Sequence, residues 1–404
     1  MFTTRLWAAS RDKWKHPLTR AALFGLYLLM TVQFVGVYLF HEYPYVDVRR
    51  FIHGYARLPF QTRLLLAPLF RWAEHSAYMV HYASRLAMNG YFFPHGIGPS
   101  EVVQFWLDIP CLLIAGWVTV RLYQAASRRH LLTWLVYPLF LGLCAVSYIL
   151  HTIQNFRFFY DMPSLALFSL GLYIIYFRKP RLLLVALFAL ATLNRETTLF
   201  LIPFYLAAEL ARSRPSGPNV VSPGTLAVDD RQGRATLPIL LRVLSMPVLQ
   251  GLRWKRLLRP EVVITTVLLL AYWAAWHVFI FHLFRHNASD YYSRLSFNFY
   301  CLRRIRYYPQ IFSACGYLLP FLIVFRKHIH DPQLRLWMWV IPGWFAVMAV
   351  WGILVETRVF GELLPVVACC TAVIAEEIFA AAVLRRHRSE VEDREETVHL
   401  VRAA

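Results

Sequence analysis

Five short polar stretches in an otherwise apolar chain carry the residue types that chemistry needs. Asn194-Arg195-Glu196 interrupts a run of apolar residues that extends from Leu182 to Leu210. Asp161 closes the aromatic string Phe158-Phe159-Tyr160, and Glu356-Thr357-Arg358 follows a further apolar run. Tyr43-Pro44-Tyr45-Val46-Asp47 and Arg303-Arg304-Ile305-Arg306 complete the set. A carboxylate can serve as general base or nucleophile, and an arginine fork suits a phosphate held by two parallel hydrogen bonds. Asp47, Asp161, Glu196 and Glu356 are therefore the candidate catalytic groups. Asn194, Arg195, Arg303, Arg304 and Arg358 are candidate substrate ligands, and Tyr45 offers a ring on which a sugar can stack.

Each residue also has a purely structural reading. Asp47 reads equally as a solvated loop residue, and Asp161 as a helix N-cap with Pro163 in the first turn. Arg195 and Glu196 suit an ion pair that locks a turn, and the same holds for Glu356 and Arg358. The arginines at 303, 304 and 306 suit contact with lipid headgroups. The sharper expectation is that Arg195 touches a phosphate and Glu196 holds Arg195 in place.

The elements that must position these groups follow from composition. The chain of 404 residues is 58% hydrophobic and only 16% charged. Apolar stretches of about 20 residues recur, each long enough to cross a bilayer as a helix. This predicts an all-α, polytopic helical bundle forming a single membrane domain over 1–404. The net charge of +19 is carried at the ends of the apolar segments rather than on one stripe, which argues against nucleic acid as partner. Six cysteines show no CxxC spacing, so neither a disulfide framework nor a zinc site is indicated.

Loop charge gives the expected topology. Arg5, Arg11, Lys13, Lys15 and Arg20 place the N-terminus in the cytoplasm, and the first span, Ala21 to Phe40, is read as uncleaved. A long exoplasmic loop over 41–100 follows, with amphipathic surface helices between Phe60 and Met88. Later spans alternate, with basic loops at 121–130 and 178–181 inside and 151–161 outside. A single span over Leu182 to Leu210 would put the basic segment 211–260 outside. Two half-spans turning at Asn194-Arg195-Glu196 put it inside, as a flexible cytoplasmic loop, and that reading is favoured. In all, about ten spans are expected, short half-spans included, with a charged cytoplasmic tail over 385–404. Every lysine (13, 15, 179, 255 and 327) then falls inside, and the five polar stretches share the outer face.

This layout resembles the GT-C superfamily of integral-membrane glycosyltransferases. Tyr43-Pro44-Tyr45-Val46-Asp47, after a first span and at the head of a long outer loop, matches the place of that family's essential aspartate. Phe159-Tyr160-Asp161-Met162-Pro163, Asn194-Arg195-Glu196 and Glu356-Thr357-Arg358 look like polar motifs of its bacterial multi-spanning members. The resemblance implies a bacterial inner-membrane enzyme that moves a sugar from a polyprenyl-phosphate donor, within the lipid, to an acceptor by inversion. It implies Asp47 as base, with Arg195, Arg303, Arg304 and Arg358 near the leaving phosphate. The chain departs from better-known members in having a single Asp where some have an acidic pair, and no cofactor or metal is indicated. A transporter or flippase for a lipid-linked or anionic substrate, or a non-catalytic envelope-assembly protein, accounts for the same features.

Overall fold

The computed structural model describes residues 16–88, 97–150, 156–211 and 254–403. Most of the loop expected over 211–260, and the tip at 94–96, lie outside the described residues. The described chain is an all-α bundle whose sheet content is one pair of two-residue strands, β1 (Tyr43–Pro44) and β2 (Phe156–Arg157), paired in parallel.

Helix α1 (Pro17–His41) starts on a proline, which suits a first turn whose N–H groups have no partner, and ends where Glu42 turns extended into β1. Three short helices follow: α2 (Val48–Ile52), α3 (Ala67–His75) and α4 (Ala77–Ala87), with two 3-10 turns between Phe60 and Leu66. Helix α5 (Pro99–Ala126) opens on a capping interaction in which the Gly98 N–H donates to Glu101 Oε2 at 2.8 Å. Then come α6 (Thr133–Tyr148), α7 (Asp161–Tyr176), α8 (Arg181–Thr192), α9 (Leu201–Ala211) and α10 (Pro260–Leu283). The series continues with α11 (Leu295–Leu302), α12 (Tyr308–Phe312), α13 (Leu319–Phe325), α14 (Pro332–Trp337) and α15 (Val340–Trp351), and ends in α16 (Leu364–Ala403).

Helix α5 runs through the centre and packs on α1, α6, α7 and α16. Between apolar helices in lipid, close packing rather than water exclusion holds the bundle together, and small residues permit it. Ala115 on α5 and Ala368, Cys369 and Cys370 on α16 are fully buried in that seam. All six cysteines are free.

Helices form at all ten predicted places, but fewer are of crossing length. Among the described residues five are long and apolar enough to span a membrane, or six if the segments Ile305–Phe312 and Ala314–His328, bent by 82°, count as one. The chain is thus a multi-pass membrane protein with a lower full-length span count than the ten expected. The reason is length: α6 and α7 have 16 residues and α8 has 12. A 12-residue helix reaches about 18 Å, against a hydrocarbon thickness of about 30 Å. The apolar run from Leu182 to Leu210 is two helices, α8 and α9, joined through a 3-10 turn at Glu196–Phe200. The bent pair breaks where Cys315, Gly316 and Tyr317 take positive φ; a Cβ on Gly316 would sit 2.3 Å from Leu143 Cδ2. The charged tail extends α16 without interruption, consistent with a segment that has no glycine or proline after Pro365.

Loops sort by end as their charges predict. One end gathers the chain after α1, the starts of α5 and α7, the α8–α9 turn and the start of α16. The Leu58 N–H donates to Ala288 O at 2.9 Å and the Leu65 N–H to Leu193 O at 3.0 Å. At the other end the 121–131 loop and the 326–335 loop meet α16, and Arg181 at the start of α8 pairs with Glu261 at 3.3 Å. There the buried Glu376 carboxylate accepts from Ser127 Oγ at 2.6 Å and from the N–H groups of Arg129 and Leu131 at 3.1 and 2.9 Å.

Candidate functional site

The first of these ends carries a buried cluster of charged and hydroxyl groups. Its centre is Arg195, extended at φ −160°, ψ 142° where α8 has ended and the 3-10 turn begins. The Arg195 Nη1 lies 3.2 Å from Glu362 Oε1 and 3.5 Å from Asp161 Oδ1. All three side chains are buried, at 6%, 0% and 1% exposure. Tyr38, at the end of α1, donates to Asp161 Oδ2 at 2.9 Å. The hydroxyls of Ser164 and Thr197 each donate to Glu362 Oε1 at 2.8 Å. Four elements that are far apart in sequence thus meet through one guanidinium.

Asp161 is not an N-cap. Tyr160 holds the cap position without a side-chain bond, and Asp161 opens α7 with its carboxylate turned inward. Asn194 donates from Nδ2 to Tyr160 O at 3.1 Å and so pins the turn to the start of α7. Glu196 does not hold Arg195. It takes Arg63 instead, through Nε at 3.1 Å and through a second bond from Nη2. Arg63 also lies flat on the Tyr160 ring, 4.0 Å from its centroid. Burial would raise the Glu196 carboxyl, but Arg63 outweighs it and holds that carboxyl at about 2.

A third pair lies beside these two. Arg358 Nε donates to Glu356 at 2.5 Å, Nη1 donates to Phe156 O at 2.7 Å, and the guanidinium stands 3.8 Å above the Phe158 ring. Next to it, Arg157 pairs with Glu101 and donates to Glu42 O at 3.1 Å and to Gln104 Oε1 at 3.3 Å. Gln104 in turn donates to Asp108, which is fully buried within α5. Burial pushes the Glu42 carboxyl up to about 7, against the pull of Arg358.

The remaining predicted residues stand outside this cluster. Asp47 caps α2: its Oδ1 accepts from the N–H groups of Arg49 and Arg50 at 2.9 and 3.3 Å, and the side chain is 56% exposed. The other oxygen, Oδ2, lies 3.7 Å from Arg50 Nε. Tyr45 packs edge-on or tilted against the cluster's aromatic wall, its ring 5.1–5.4 Å from those of Phe60, Phe156 and Phe158, and is 46% exposed. Arg303 and Arg304 are exposed on the surface beyond α11 and have no part in the buried network.

Sequence reasoning missed Arg63, Glu362, Tyr38 and Asp108. The signal that picked out Asn194-Arg195-Glu196, an ionisable residue inside an apolar run, also picks out Asp108 and Glu362. Glu362 is the one charge between Val359 and Val373, and Asp108 the one between Val102 and Val120. Arg63 gave no such signal, because it lies in a stretch where arginines alternate with apolar residues as they do on a surface helix.

The chemistry of the cluster is set by its balance of charge. Arg195 faces two carboxylates, and Arg63, Arg157 and Arg358 each face one, so the buried guanidinium groups are already neutralised. Such a cluster is suited to fix positions rather than to receive a phosphate. Several buried polar atoms here have no hydrogen-bond partner in the protein: Glu362 Oε2, Arg195 Nε, Asn194 Oδ1 and the Tyr148 hydroxyl. Tyr148 is close enough to Gly361 that a Cβ there would fall 1.8 Å from its hydroxyl. Among the described residues no group of three or more His, Cys, Asp or Glu side chains is arranged to hold a metal ion. Compared with known proteins, the chain matches no family model, no curated protein and no solved structure.

Proposed function

We propose that the protein is a glycosyltransferase of the GT-C kind, which moves a sugar from a polyprenyl-phosphate donor to an acceptor at the end of the bundle that carries Asp47. The observation that supports this reading most is the convergence at that one end. The loop after α1, the start of α7, the α8–α9 turn and the start of α16 are tied there into one ion-paired floor under Tyr45. Asp47 acts as the base. Its cap uses Oδ1, which leaves Oδ2 at the surface to take the acceptor hydroxyl proton as that oxygen attacks the anomeric carbon. The sugar–phosphate bond breaks on the opposite face, and the phosphate leaves with the bonding electrons.

In this reading Asp161, Glu196 and Glu356 are positioning residues, because each is held by a buried arginine, whereas Asp47 and its neighbour Arg50 are exposed. Exoplasmic orientation in a bacterial inner membrane, with both termini in the cytoplasm, belongs to the same proposal. The test is purified full-length protein supplied with polyprenyl-phosphate sugars. Release of polyprenyl phosphate with transfer to an acceptor is expected, and Asp47→Asn abolishes it. Full activity in Asp47→Asn overturns the base assignment. Movement of the intact lipid-linked sugar across a vesicle membrane without turnover would favour a flippase instead, a reading to which the 82° bend between Ile305–Phe312 and Ala314–His328 is relevant.

A further inference from the structure

Four arginines on one surface segment differ from the buried, carboxylate-paired Arg63, Arg157, Arg195 and Arg358. Arg294, Arg303, Arg304 and Arg306 surround α11, and among the described residues none has a carboxylate partner; the nearby Asp290 is taken by Arg57 at 3.3 Å. Tyrosine rings hold three of them instead. Arg294 lies 3.7 Å over Tyr292, Arg304 4.3 Å over Tyr300 and Arg306 4.8 Å over Tyr307. Stacking fixes each guanidinium by its face; Arg294 also donates to the Tyr292 hydroxyl and Arg306 to those of Tyr300 and Tyr307, while the guanidinium N–H groups of Arg303 and Arg304 meet no protein acceptor among the described residues.

An open cavity of about 570 Å³ lies in the middle of this group, lined by Ser296, Phe299, Tyr300, Arg303 and Arg304. Its lining combines two cations, two hydroxyls and two aromatic rings. Around it the surface is apolar: Phe297, Leu302 and Phe312 are exposed, and Ile305 is 82% exposed. The segment continues as α12, which meets the next helical stretch at 82°. An unpaired basic rim, exposed apolar side chains and a sharp turn into the bundle describe a segment lying in a membrane surface. Its place in the fold is rigid. Asn298 donates from Nδ2 to the carbonyls of Ala349 and Gly352 at 2.8 and 2.9 Å and accepts from Leu354 N–H at 2.9 Å.

We propose that this cavity binds the phosphate headgroup of an anionic bilayer phospholipid, with Arg303 and Arg304 on the phosphate and the neighbouring apolar side chains among the acyl chains. Arginine forks match phosphate geometry, and basic residues at a membrane surface attract anionic lipid. The site is separate from the buried cluster and does not depend on sugar transfer.

The test is lipid binding to purified full-length protein in neutral detergent, followed by native mass spectrometry. Phosphatidylglycerol, phosphatidylcholine and a long polyprenyl phosphate are titrated separately. Wild type is expected to prefer phosphatidylglycerol over phosphatidylcholine by roughly tenfold or more. Arg303→Gln with Arg304→Gln should bring the two lipids to within about twofold, while Arg121→Gln at the opposite end leaves the preference intact. The double lysine variant keeps the charges and should keep most of the preference. Equal binding of the two lipids by wild type would overturn the proposal. So would an unchanged preference in the double Gln variant, a loss in the lysine variant as complete as in the Gln variant, or tighter binding of polyprenyl phosphate than of phosphatidylglycerol at these arginines.

Discussion

The guanidinium of Arg195 lies 3.2 Å from the Glu362 carboxylate, although Glu196 is its neighbour in the chain. The chain is extended at Arg195, so adjacent side chains point to opposite sides: Arg195 inward to Glu362 and Asp161, Glu196 outward to Arg63. Three ion pairs rather than one are therefore built on the Arg195-Glu196 dipeptide. Together they join the first loop, α7, the α8–α9 turn and the start of α16.

Arg195→Ala leaves Asp161 and Glu362 buried without a cation. Loss of one partner from a buried pair typically costs about 3–5 kcal/mol. A large fall in the thermal unfolding temperature in detergent is expected, with part of it recovered by Asp161→Asn in the same chain. Additive losses in the double variant would show that the two residues are not coupled.

The Arg63–Glu196 pair predicts a specific acid response. The folded carboxyl, at about 2, lies below its ordinary 4.5, so its contribution is fully present above pH 4.5 and is lost as pH falls toward 2. The difference corresponds to roughly 3–4 kcal/mol. Between pH 5 and 3 the unfolding temperature of wild type should fall more steeply than that of Glu196→Gln. Parallel curves would refute the pairing.

Glu42 predicts the opposite sign. Burial raises its folded carboxyl from the ordinary 4.5 to about 7, so the stability it confers as the neutral acid is present below pH 4.5 and is lost as pH rises through 7. Wild type should lose stability between pH 5 and 8, and Glu42→Gln, neutral throughout, should lose less. Thermal unfolding across that range decides the point.

Asp47 separates a structural from a chemical role. Asp47→Ser keeps a cap for α2 but removes the carboxylate, so it should cost well under the ~1 kcal/mol of a lost cap while abolishing sugar transfer. Asp47→Ala loses both. Transfer that survives in the Ser variant would mean that the carboxylate is only a cap.

At the far end, Glu376→Ala removes a carboxylate that satisfies Ser127 Oγ and two backbone N–H groups. With those donors left unpaired, a loss of about 2–4 kcal/mol is expected, with transfer per folded molecule unchanged. A fall in specific activity larger than the fall in folded protein would tie this end to function.

What the sequence by itself determined were the features that depend on local composition. Apolar runs fixed where helices form, loop arginines and lysines fixed which loops share an end, and an arginine in an apolar run marked a place where burial demands a partner. Even the division of the run from Leu182 to Leu210 into α8 and α9 was legible, because basic flanks on both sides require an even number of crossings. The identity of each partner was not. Glu362 and Glu196 are equivalent to a one-dimensional reading, and proximity in the chain favours Glu196 for Arg195. Only the packed bundle decides that an extended backbone turns Arg195 inward, that Arg63 arrives from the first loop to take Glu196, and that Asp47 stays at the surface as a cap. Ion pairing in a helical bundle is settled by which side chains share one enclosed space. That is a property of how the helices pack together, and no single stretch of the chain encodes it.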